Sequence, residues 1–138
     1  MSLENTIRYN QTKHFLKRID DLKGKGEEFL RTISQSLNQS FPDRFKEWNS
    51  TDTRLHLKFF GLTLLVRVEI EIEQDEPGRI RTYVCDDGTP PHLQPLEFEY
   101  AFDELGNVNR VMTVQEAGAR FGLDLIEHLR SKKIALLL

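Results

Sequence analysis

The stretch from residue 64 to residue 73 alternates apolar and polar side chains, and this period of two constrains the fold more than any other feature. Successive side chains of a β-strand point to opposite faces, so the alternation predicts a strand with one buried and one wet face. The apolar set is Leu64, Val66, Val68, Ile70 and Ile72, and the other set is Leu65, Arg67, Glu69, Glu71 and Glu73. A second layer must therefore cover the apolar face.

Similar alternation recurs before and after this stretch, in segments separated by short turn sequences. Four or five strands joined in this way predict an antiparallel meander. A type I turn at 103–106 followed by a left-handed Gly106 is expected to lead into a short fifth strand at 108–112. A two-residue loop at Phe60 and Gly61 sets Phe59 opposite Leu62 and keeps the apolar residues of the first hairpin on one side. The hydrophobic pattern thus predicts the register of this hairpin.

The next turn needs an odd loop, because an even one would mix the two faces. A bulge or five-residue turn at 75–79 satisfies this requirement and sets Ile70 opposite Val84. It also sets Glu69 opposite Cys85 on the wet face.

Residues 4–39 carry apolar side chains at helical spacing. Gly24 and Gly26 interrupt the pattern, so the segment is either two helices with a break there, our preferred interpretation, or one helix whose partner approaches closely at Gly26. A short helix is expected at 42–48, and Thr113 is expected to cap a last helix. The predicted fold class is α+β: N-terminal helices, a four- to five-stranded antiparallel meander sheet, and a C-terminal helix packed on one sheet face. A single domain over residues 1–138 is expected.

The net charge of −3 provides no overall attraction to phosphate backbones or anionic lipid, so nucleic-acid binding is disfavoured. No apolar run approaches the roughly 18 residues that a membrane-spanning helix needs. The lone Cys85 cannot form an internal disulfide, which indicates a reducing, cytoplasmic location. Residues 8–25 are locally basic; a solvated face of mixed charge is the preferred interpretation, and a contact for an acidic partner or a phosphate backbone is the alternative.

Carboxylates on alternate strand positions lie about 7 Å apart, which is close enough for two of them to share a cation. Glu69 and Glu71, joined by Asp86 and His92 of the long 86–95 loop, therefore define an alternative site for a metal-assisted hydrolase. The preferred interpretation is a solvated face that arginines neutralise. We expect no cofactor, because neither metal-ligand spacings nor nucleotide-binding motifs occur in the chain.

Two segments are candidate contacts for a protein partner. The proline-rich loop at 86–95 contributes His92 and Leu93. The chain ends in an apolar tail that either docks on its own core or is covered by a partner, through Leu136, Leu137 and Leu138. Gly118 and Gly122 indicate close packing of the last helix, against the sheet first and across a dimer second.

The leading functional hypothesis is a small intracellular, non-catalytic protein-binding or adaptor domain that forms a homodimer. The predicted order of elements loosely resembles that of type III secretion chaperones, which implies a chaperone-like role. The chain departs from that family where the 86–95 loop replaces a helix between the third and fourth strands.

Overall fold

The computed structural model describes residues 2–86 and 92–136. The sequence runs from one α-helix through an antiparallel sheet to a second α-helix. The seven strands of the described sheet are neighbours in chain order. The helices are α1 (Leu3–Ser40) and α2 (Val114–Ser131). The strands are β1 (Lys46–Glu47), β2 (Arg54–Phe59), β3 (Leu62–Ile70), β4 (Gly78–Cys85), β5 (Leu93–Phe102), β6 (Asn107–Val108) and β7 (Met112–Thr113). The α+β class and the antiparallel order are as expected, but the sheet has seven strands and not four or five.

The additional strands are two-residue segments that are too short to show a period in the sequence. β1 pairs with β2, and β6 pairs with β7 where a single strand at 108–112 was expected. Gly106 has the expected left-handed conformation, with φ +87°. The Asp103 carboxylate accepts hydrogen bonds from the backbone N–H groups of Leu105 and Asn107 at 3.0 and 2.9 Å. These contacts turn the chain into the last short hairpin.

α1 is one continuous helix of 38 residues, so the preferred break at the two glycines is wrong. A Cβ on Gly26 would lie 2.5 Å from a methyl group of Val68, whereas a Cβ on Gly24 would meet nothing within 4 Å. Close approach of β3 to the helix therefore accounts for the absence of a side chain at Gly26. The alternative reading of this position was the correct one.

The short helix predicted at 42–48 is also wrong. The segment contains a turn, in which Asp43 has φ +64°, followed by β1. Phe45 is nevertheless buried, and its ring stacks on that of Phe59 with centroids 4.6 Å apart. The apolar spacing thus indicated burial, but a left-handed residue is incompatible with a continuing helix.

The predicted register is confirmed for one hairpin and wrong for the other. β2 and β3 pair with Phe59 opposite Leu62, and both Phe60 and Gly61 have positive φ. In the β3–β4 hairpin Ile70 lies opposite Gly78, six residues from the predicted partner Val84. The faces are preserved because the shift is even. The alternation of apolar and polar residues therefore determines which side chains face the core, but it does not determine the length of the turn between the strands.

The core lies between the sheet and the two helices, on the side of Leu57, Leu64, Val66, Ile80 and Phe102. The helices pack directly on each other at the two glycines of α2. A Cβ on Gly118 would lie 2.3 Å from Thr32, and one on Gly122 would lie 2.7 Å from Phe41. The close packing is as predicted, but its partner is α1 and not the sheet. Thr113 caps α2 as expected, accepting from Glu116 N at 3.1 Å. Neither helix, within the described ranges, is both long and apolar enough to cross a membrane.

Candidate functional site

The carboxylates of the wet face form an ionic network with arginines from neighbouring strands. Glu69 accepts hydrogen bonds from Arg67 Nε at 2.7 Å, from Arg81 Nη1 at 3.1 Å and from the Tyr83 hydroxyl. Glu71 accepts from Arg81, which also donates from Nε to Glu99 at 2.7 Å. Arg81 therefore bridges three carboxylates, and this face of β3, β4 and β5 is held by charge-assisted hydrogen bonds.

This network lowers the pKa of Glu69. Burial raises the pKa of Glu69, but the hydrogen bonds from Tyr83, Arg67 and Arg81 outweigh burial and hold the pKa below its usual range. The pKa of Tyr83 is raised by burial and by its hydrogen bond to Glu69. A general acid needs the opposite shift for a carboxyl group. The arrangement is therefore suited to holding strands together and not to delivering a proton.

The structure brings Glu69 and Glu71 of the alternative hydrolase site together around Arg81, but it places Asp86 far from them. Glu69 lies opposite Arg79, whereas Asp86 follows Cys85 at the other end of β4. Six residues separate Arg79 from Cys85, which corresponds to about 20 Å along a strand. Within the described ranges, no three His, Cys, Asp or Glu side chains converge as metal ligands would. Glu73, the third acid of the row, has φ +71° and lies in the β3–β4 turn.

Parts of the predicted partner-binding segments lie within the described residues. His92 N donates to Asp86 Oδ1 at 3.0 Å, and Leu93 begins β5. Residues 87–91 of the loop, together with Leu137 and Leu138, lie outside the described residues. In the tail, Ile134 packs against the core while Leu136 is 40% exposed.

Sequence reasoning identified the first half of α1 as a candidate contact only by its basic charge and missed the exposure of its apolar side chains. We call residues 3–18 the arm; its side chains are exposed except for half-buried Thr6, and the first buried residue of the helix is Leu22. A helix of 38 residues spans about 57 Å. The nine-residue strand β3 spans only about 30 Å. The helical pattern in the sequence is much longer than any strand pattern. This difference in length was the signal that a large part of the helix must extend beyond the sheet.

The arm carries exposed apolar side chains that a solvated helix does not need. Leu3, Ile7 and Phe15 are 78%, 48% and 42% exposed. Together with Gln11 and Ile19 they form a row in which every member lies four residues from the next, and such residues adjoin on a helix surface. Tyr9 and Leu16 are exposed on the opposite side of the arm.

An apolar notch adjoins the base of the arm. It has a volume of about 190 Å³, and Phe15 and Ile19 line it from α1 while Ile70 and Ile72 line it from the other side. Ile72 is 59% exposed, because the β3–β4 turn releases it from the strand. The row on the arm and the notch form one continuous apolar surface.

Two further hollows have polar linings. One of about 390 Å³ lies between α1 and the β1–β2 edge, where Ser34 Oγ donates to Glu47 at 2.7 Å. Another, of about 470 Å³, lies beside Tyr100, whose hydroxyl donates to Asp124 at 2.5 Å. Burial and this hydrogen bond raise the pKa of Tyr100, so it stays protonated and serves as a structural donor.

No family model, curated protein or solved structure matches the chain. Function is therefore inferred from the geometry of the arm, the notch and the ionic face.

Proposed function

We propose that this chain is a non-catalytic protein-binding domain whose contact surface is the apolar row of the arm, from Leu3 to Ile19, together with the notch. The observation that supports the proposal is where the exposed apolar side chains lie. Twelve large hydrophobic side chains are exposed among the described residues, and four of them, Leu3, Ile7, Phe15 and Ile72, lie on this row or line the notch. Apolar surface concentrated on one protruding element is typical of protein interaction sites.

Helix energetics support the same proposal. An isolated helix of about 12–15 residues is marginal in water, because most helix stability in proteins comes from packing of an apolar face. The arm lacks such packing over residues 3–18 of the described chain. A partner that covers the row from Leu3 to Ile19 would supply it, in the way that grooves bind amphipathic helices.

The charge of the arm limits the chemistry of that partner. Residues 3–18 contain Arg8, Lys13, Lys17 and Arg18 against Glu4, so the arm carries +3. Since the whole chain carries −3, the remaining residues carry −6. The partner surface is therefore expected to combine apolar side chains with acidic ones. A chaperone-like role, which the order of elements implies, is one form of such binding.

The test is affinity capture from a lysate of the source organism with the tagged full-length protein as bait. We expect the double variant Ile7→Asp/Phe15→Asp to lose every stoichiometric partner, because two charges then interrupt the apolar row. Val111→Asp is the matched control, since Val111 is an exposed apolar residue of the β6–β7 turn and lies off the arm. Partners that the double variant retains would contradict the proposal.

A further inference from the structure

We propose that a second copy of this chain covers the arm, and that two arms pair antiparallel about a twofold axis at Gln11. This inference rests on the proposed function, because it names the partner of the same surface. The apolar row reads Leu3, Ile7, Gln11, Phe15 and Ile19, so it has the same apolar character on either side of Gln11. A twofold axis requires a self-complementary surface of this kind.

With the axis at Gln11, a residue that lies a given number of positions before Gln11 pairs with the residue that lies the same number of positions after Gln11 in the second copy. Ile7 then lies beside Phe15 of the second copy, and Leu3 lies beside Ile19 of the second copy. Ile19 lines the notch, so each notch receives Leu3 from the other copy. The pairing thus buries the exposed row and occupies the notch at the same time.

Charge selects this axis over its neighbours. It sets Glu4 beside Arg18 of the second copy, twice by symmetry; Arg18 donates to Glu104 of its own chain through Nε at 3.2 Å, so its Nη groups are the donors for Glu4. No two like charges of the arms lie opposite each other. Moving the axis half a residue towards the N-terminus would set Arg8 beside Lys13 and Leu3 beside Arg18. The register at Gln11 combines apolar contacts with opposite charges, whereas this neighbouring register loses the apolar contact of Leu3 and sets like charges together.

The first test is the oligomeric state of the purified full-length protein, measured by analytical ultracentrifugation from about 1 to about 200 μM, a range that includes the affinities of small interfaces. We expect a reversible dimer. Phe15→Asp should raise the dissociation constant by at least about 100-fold, since symmetry places the new carboxylate in the interface twice. Leu16→Asp is the matched control, because Leu16 is the next residue, is 54% exposed and lies on the opposite side of the arm; this variant should leave the dimer intact.

A cross-linking test addresses the axis itself. In a Cys85→Ser background, Gln11→Cys should form a disulfide-linked dimer under mild oxidation, because residues on a twofold axis approach within the roughly 6 Å that a disulfide requires between Cα atoms. Lys13→Cys, on the far side of the arm, should cross-link at least tenfold more slowly.

A monomer over the whole concentration range would overturn the inference, as would a dimer that survives Phe15→Asp. Loss of the dimer in both Phe15→Asp and Leu16→Asp, or equal cross-linking at positions 11 and 13, would overturn the pairing at Gln11. The proposed function fails separately: a monomer whose arm still captures another protein from lysate would retain the binding role and exclude the second copy as its occupant.

Discussion

At the scale of single residues, two glycines in the same helix have opposite roles. Gly24 faces open space, so Gly24→Ala should stabilise the protein by up to about 1 kcal/mol, the usual gain in helix propensity. Gly26→Ala places a methyl group 2.5 Å from the stiff side chain of Val68. Overpacking of this kind costs about 1–3 kcal/mol, which exceeds the gain in propensity. Urea unfolding should therefore find Gly26→Ala about 2 kcal/mol less stable than Gly24→Ala.

The two substitutions control for each other, since they make the same chemical change two residues apart. Equal stability of the two variants would mean that α1 and β3 can move apart at Gly26 and Val68 without lowering the free energy of unfolding. A kink of α1 at the glycines would give the same result, so the comparison also tests the continuity of the helix.

At the scale of elements, the ionic network joins β3, β4 and β5 on the wet face. The pKa of Glu69 is lower in the folded protein than in the unfolded chain, so its contribution to stability is fully present above about pH 4.5 and is lost as the pH falls through the folded pKa. Glu69→Gln should cost about 1–2 kcal/mol at pH 7, the usual value for charge-assisted hydrogen bonds at a partly exposed site. That difference should shrink as the pH falls from about 4.5 to about 3, which thermal unfolding across this range would measure.

Glu127→Gln removes an exposed carboxylate of α2 and serves as the control for the loss of one negative charge. Its stability relative to wild type should change little over the same range. A Glu69→Gln deficit that persists unchanged at pH 3 would show that the glutamate contributes through packing and not through its charge.

At the scale of the whole molecule, the arm adds surface but little stability. Deleting residues 2–18 removes no buried side chain, and the exposed ion pair between Arg18 and Glu104 contributes at most about 1 kcal/mol. We expect the shortened chain to unfold with a loss below about 2 kcal/mol. Leu22→Ala, which truncates a side chain that is 1% exposed, should cost about 2–5 kcal/mol.

The deletion removes the whole arm, whereas Leu22→Ala removes only three carbon atoms, at the first buried position of the helix. If the deletion cost more than Leu22→Ala, the arm would be part of the folding unit and its exposed side chains would need another explanation. Denaturation of the two variants at one low protein concentration keeps association from contributing.

Sequence reasoning predicted the local features of the fold. It assigned the faces of β2 and β3, the Phe60–Gly61 turn and the cap at Thr113, which all depend on residues close in the chain. It directed attention to the carboxylate row, the 86–95 loop and the tail. The helical spacing over residues 4–39 did not reveal the exposed arm, because a helical period indicates an apolar stripe without indicating which part of the stripe is covered.

The sequence by itself determined which residues of each strand face the core, because alternation along a strand is a local property that survives any even shift of register. Only the tertiary structure decided the six-residue offset between β3 and β4 and the continuity of α1 through Gly24 and Gly26. It also decided that the helix extends beyond the sheet. Each of these depends on the fit between elements distant in the chain, such as Gly26 against Val68, and no local pattern encodes such a fit.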